Sequence, residues 1–320
     1  MRIIMGLFDW LRPAPPLDAA TQARIEHAVT TGEPLIRQVG GYERKLAPAV
    51  QRAIDYCDDI ASRIPGPFEI SRAAFAADPM VHALFGSADD IEVMLSRSKC
   101  VRDHMMELTV TSGQCCALLG MRHREKAGFG IELTGNIVRM DVPQKTLYFA
   151  DHTLAEPGPD VTATRAHLRD LLFDGLLKGF AAQVAEVRAE QSSLYREQSI
   201  THTLVRSGSD PATHTRRLET LGEQLKASGD VLQPERLLDT LTATLANPEP
   251  HLRLDPVNVS VDRCGVITGV GSEGEGDTLH FAELSGRDKR RWVVIIAKIE
   301  REEARRALER FETAQRYIVI

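Results

Sequence analysis

From Phe173 the seam positions advance in steps of four and three: Leu177, Phe180, Val184, Val187, Gln191, Leu194, Gln198, Thr201 and Val205. A spacing that averages about 3.5 residues is the seam of one helix packed lengthwise on another. The seam starts apolar and turns polar towards Thr201, so its packing should loosen outward. Ser207-Gly208 supplies a stop, and Asp210-Pro211 a restart with the acid as N-cap and proline in the first turn. The returning stretch carries Leu218, Leu221 and Leu225, pauses at Ser228-Gly229-Asp230, and resumes at Pro234 with Leu238, Leu241 and Leu245 until Asn247-Pro248. Residues 158–247 therefore read as a coiled-coil-like helical hairpin. Unbroken, a helix over residues 161–206 would be roughly 69 Å long at 1.5 Å per residue.

Before the hairpin, Leu46, Val50, Ile54, Cys57, Ala61 and Ile64 form a buried helical stripe. Ser71, Asp78-Pro79 and Ser87 each have the chemistry of a helix start. The last should open one helix running to about Leu108, with Cys100 and His104 four apart on it. Residues 1–113 form the N-terminal helical region. From Gln114 the period changes to two, and turns at Lys126-Ala127-Gly128 and Gly135-Asn136, with Pro143 marking a bulge or edge, divide residues 114–157 into a four-stranded antiparallel meander. A second meander follows over residues 248–320, with Trp292–Ile299 its most strongly β-forming run and a closing helix after Glu302. The fold class is α+β: two β-meanders, expected to share one sheet or barrel, separated by the inserted hairpin.

The formal net charge of −6 gives no general drive towards nucleic acid or anionic lipid. The five cysteines are odd in number and form no CxxC pair, which excludes a zinc ribbon and points to a reducing, cytoplasmic setting. No apolar run is long enough to span a bilayer. The apolar start, with Leu7, Phe8, Trp10 and Leu11, could make a peripheral membrane contact, but membrane-surface helices carry several basic residues and only Arg12 is close by, which argues against it.

Four groups of residues carry candidate chemistry. His152, Asp151 and His123 could form an acid-base set of hydrolase type, histidine titrating near neutrality and a carboxylate orienting its ring. Neighbours on a strand point to opposite faces, however, so Asp151 is badly placed to serve His152. Arg287, Lys289, Arg290 and Arg291 beside Trp292 could bind nucleic-acid phosphate and stack on a base. Cys100 and His104 lack a third metal ligand. The string Gly269–Gly274 fits G-x-G-x-x-G but leads into a strand instead of a helix, so no cofactor is expected. The seam outlasts its shorter return, leaving Leu194, Val205, Leu218 and Leu221 as expected contacts for a second copy or a protein partner. A non-enzymatic interaction or scaffold protein acting through the hairpin is the leading expectation. The hydrolase and the nucleic-acid binder stand as alternatives.

Overall fold

The computed structural model describes residues 17–107, 113–134, 137–207, 210–262, 265–267, 277–287 and 290–318. The candidate N-terminal membrane contact and the glycine-rich string at 269–274 lie outside them. The chain divides into two units, each assembled from two stretches of sequence. One comprises residues 1–53 and 176–248, the other residues 54–175 and 249–320.

The first unit is helical. It holds α1 (Ala19–Gly32), a 3₁₀ turn (Pro34–Gln38), the start of α2 (Tyr42–Arg63), most of α7 (Val161–Arg206), α8 (Pro211–Val231) and α9 (Pro234–Ala246). The hairpin is present and antiparallel: Arg217 pairs with Glu197 at 2.6 Å, and nearer the base Gly229 lies against Gln191. Two details of its chemistry differ from expectation. Helix α8 runs through Ser228-Gly229-Asp230 without a pause. Asp210 caps it from a left-handed conformation with no side-chain hydrogen bond. At the base, buried Glu33 accepts an ion pair from Arg188 at 2.8 Å, and Gly32 leaves room for Phe180 and Leu241.

The second unit is built on a six-stranded sheet of order β3-β2-β6-β5-β4, with the two-residue β1 (Phe68–Glu69) parallel to β6. The strands are β2 (Gln114–Thr134), β3 (Ile137–Gly158), β4 (Leu252–Val261), β5 (Asp277–Gly286) and β6 (Arg291–Glu300). Both meanders therefore share one sheet, joined by β2 against β6. It is not a closed barrel, although Thr146–Val266 and Val261–Ile267 bridges link its two end strands locally.

One face carries Leu119, Met121, Phe149, Phe281, Val293 and Ile295 against short helices. These are α3 (Arg72–Ala77), α4 (Pro79–Leu84), α5 (Ala88–Arg97), α6 (Lys99–Glu107) and the terminal α10 (Arg301–Ile318). The opposite face meets the end of α2 and the start of α7. There Thr164 donates to the Cys116 carbonyl at 3.0 Å, and Ile296 N–H donates to Pro65 O at 2.7 Å. A strand covered on both faces needs apolar residues at successive positions, which is why Val293–Ala297 is uniformly buried. Among the described residues no helix is long and apolar enough to cross a membrane.

The first meander is corrected from four strands to two long ones. Lys126, Ala127 and Gly128 stay paired, opposite Thr146, Lys145 and Gln144, because a glycine with ordinary extended geometry need not turn. Pro143 is accommodated opposite Phe129 because β3 is an edge strand and its missing N–H disturbs no second ladder. The ribbon carries three register shifts, each inserting one residue on β3. Each inserted stretch holds an acid with positive φ: Asp141, Asp151 and Glu156. Aspartate tolerates the left-handed region better than most residues. The long helix expected from Ser87 is also two, broken at Ser98, whose ψ of 96° is extended and whose hydroxyl approaches Cys100.

Candidate functional site

A cleft of about 1270 Å³ opens in the second unit between the short helices and β3. Its lining includes His82, Cys100, Tyr148, Asp151 and His152. His152 stacks on Phe85, ring centroids 4.6 Å apart, and its Nε2–H donates to Leu84 O at 2.8 Å. That bond leaves Nδ1 as the free acceptor. Asp151 sits on a bulge with φ 58°, and its carboxylate lies 3.9 Å from Arg122. No ion pair or hydrogen bond joins its carboxylate to His152.

His123 is placed differently. It stands opposite Phe149 on β2 and is not among the cleft-lining residues. Its Nδ1 meets the carboxylate of Glu283 on β5, whose other oxygen lies 3.7 Å from Arg291. The approach lacks hydrogen-bond geometry at Glu283 Oε1. His123, Asp151 and His152 thus form no single set, and the carboxylate that serves a histidine is Glu283. The sequence did contain the signal: Leu279 and Phe281 face the core, and the same alternation puts Glu283 on that face.

The basic turn is largely engaged with its own chain. Arg291 leans on Glu283, and Arg122 lies over the Trp292 ring at 4.9 Å. Trp292 also packs over Gly120. Arg287 and Arg290 make contacts of their own, and Lys289 lies outside the described residues. Cys100 donates its thiol to Leu154 O at 3.1 Å, and no group of three or more metal-ligating side chains occurs among the described residues.

No family model matches this chain, and no curated protein or solved structure does so either. Function rests on the geometry.

In the hairpin, Leu221 is fully buried, while Leu194, Val205 and Leu218 are half-buried. In the hairpin part of α7, Ile200 and Leu204 are exposed one turn apart, and Tyr195 is exposed on the other side of the helix. The outer half of the β2–β3 ribbon differs. Phe129 is 77% exposed, Ile131 61%, Val138 59% and Met140 71%. Phe129 and Ile131 share a face by alternation, and the register brings Val138 and Met140 beside them. The same alternation puts the exposed Arg124, Lys126 and Arg139 on the ribbon's other face, while the charges beside the apolar residues are Glu125 and Lys145, paired at 2.8 Å. Sequence reasoning missed this patch because it broke the ribbon into short strands whose apolar residues would have been core.

Proposed function

We propose that this chain is a non-enzymatic interaction protein of the cytoplasm, and that the outer half of the β2–β3 ribbon is its contact surface. The observation that carries the reading is the exposure of Phe129, Ile131, Val138 and Met140 together on one ribbon. Scattered exposed apolar residues need no explanation, but a contiguous patch rimmed by charge marks a binding surface. Burying each of these side chains fully would contribute about 1.5–3 kcal/mol. In this reading the coiled-coil hairpin is scaffold, its seam spent on its own two helices. Unpaired thiols at Cys57, Cys100, Cys115 and Cys116 suit a reducing compartment.

A photo-crosslinking amino acid placed in cells at position 129 tests the reading against its rival when compared with position 195 or 200 on α7. Adducts at 129 alone support it. Adducts from the α7 positions alone would return the contact to the hairpin, and none at any position would remove the interaction reading.

The cleft favours a second reading, small-molecule chemistry at His152, whose Nδ1 remains free to accept a proton. A turnover screen with generic ester and phosphoester substrates, repeated with His152→Ala, tests it. Activity unchanged by that substitution excludes this residue.

A further inference from the structure

The ribbon has two edges, and the fold treats them unequally. On β3, residues 145–147 are bridged by the segment 265–267. Beyond them Pro143 offers no N–H, and the bulge at Asp141, φ 60°, interrupts the ladder. Prolines and bulges are what keep an edge strand from accepting another strand. On β2, pairing with β6 ends at Met121, and from Arg122 to Thr134 no described strand covers its outer edge. One carbonyl there, Ile131 O, accepts a hydrogen bond from the Gln144 side chain at 3.4 Å. No proline or left-handed residue occurs along that edge. The exposed Phe129 and Ile131 stand on this same uncovered edge strand.

Resting on the reading of the ribbon as a contact surface, we propose that its occupant is a second copy of this chain. Each copy lays its β2 edge antiparallel to the other's across a two-fold axis at Gly128. Identical edges that pair antiparallel are isologous and close at two subunits. Gly128 is the midpoint of the uncovered edge, and a side-chain atom added there would meet nothing within 4 Å. The charges do not oppose self-pairing in this register: Arg124 and Lys126 of each copy come opposite residues 132 and 130 of the other, where the sequence carries an acid and a glycine, so no cation meets a cation. The two apolar patches then lie side by side on one continuous four-stranded ribbon. A bilayer is the weaker occupant, because an open strand edge finds no hydrogen-bond partner in hydrocarbon.

Sedimentation at micromolar concentration is expected to give twice the chain mass of 35.4 kDa. Ala127→Lys with Phe129→Lys sets a cation of each copy directly opposite one of the other beside the axis and should weaken association by more than about 100-fold, with the far-UV spectrum unchanged. Should that variant fail to fold, Gly128→Cys gives an independent reading. A short bis-maleimide should link it as a dimer where wild type, with its native cysteines, and Thr203→Cys on α7 are not linked. A monomeric wild type overturns the proposal, as does a dimer that resists the double lysine variant and is not linked at 128. If wild type is monomeric while position 129 still photo-crosslinks to a different protein, the second copy is wrong and the contact surface stands. If neither occurs, both fail.

Discussion

Leu221→Ala is the perturbation that separates a hairpin closed on itself from one held open for a partner. Leu221 is 0% exposed and lies between the Arg217–Glu197 ion pair and the approach of Gly229 to Gln191. Truncating a fully buried leucine costs about 2–5 kcal/mol. The neighbouring seam residues Leu194 and Leu218 are only half-buried, so the site can partly collapse and the lower part of that range, about 2–3 kcal/mol, applies. For a unit of this size, each kcal/mol moves the melting temperature by about 3–5 °C, giving a fall of roughly 6–15 °C in the helical unit's transition. Circular dichroism melts read the shift, and sedimentation reads the mass. Ile200→Ala, 62% exposed on the same helix, should stay within about 0.5 kcal/mol of wild type. An unchanged melt for Leu221→Ala together with a lower oligomeric mass would show that the seam faces a partner, and the reasoning would fail.

Gly158→Ala should destabilise the sheet unit by about 1–3 kcal/mol in a denaturant titration, because its new methyl would lie 2.8 Å from both the backbone N and the hydroxyl of Thr164. Burial pushes the Cys57 and Cys115 thiols up to about 12 from an ordinary 9.0. Between those values the unfolded chain releases protons that the folded chain keeps, so stability should fall as pH rises through that window. Cys57→Ala should flatten the fall in melts taken from pH 8.5 upward. At pH 8, mass spectrometry after brief treatment with a thiol reagent should find both residues unmodified, since the thiolate is the reactive form. Arg188→Ala leaves the buried Glu33 carboxylate without its cation and should lower stability by about 1–2 kcal/mol, discounted because Arg188 is itself half in water.

Where chemistry is local, the sequence was legible. The Ser71, Asp78 and Ser87 caps are all made by their side chains, and the stripe from Leu46 to Ile64 is buried throughout. Helix α7 ends where Ser207 was expected to stop it. The failures were of register and partnership. Gly128 carries turn propensity, but sixteen paired residues of β3 hold β2 straight through it. Alternation from Leu279 and Phe281 puts Glu283 on the core face, but which strands neighbour one another depends on contacts distant in sequence, so its meeting with His123 and Arg291 could not be read from spacing. The exposure of Phe129 was invisible for the same reason, since nothing local says where β6 stops covering β2.

The sheet order has a consequence for biosynthesis. Gln114 pairs with Glu300, 186 residues later, and everything between must leave the ribosome before β2 receives its inner neighbour. At about 5–20 residues per second, a ribbon complete at Gly158 waits roughly 7–28 s for Glu300. During that interval the whole length of β2 is an open edge, including the Gln114–Met121 segment that β6 later claims. The helical hairpin, whose contacts are closer in sequence, can form while the ribbon waits. Nascent chains on neighbouring ribosomes would therefore present unfinished sheets to one another, and a holdase that shields apolar strands should matter more to the yield of this protein than to that of an all-helical one of equal length.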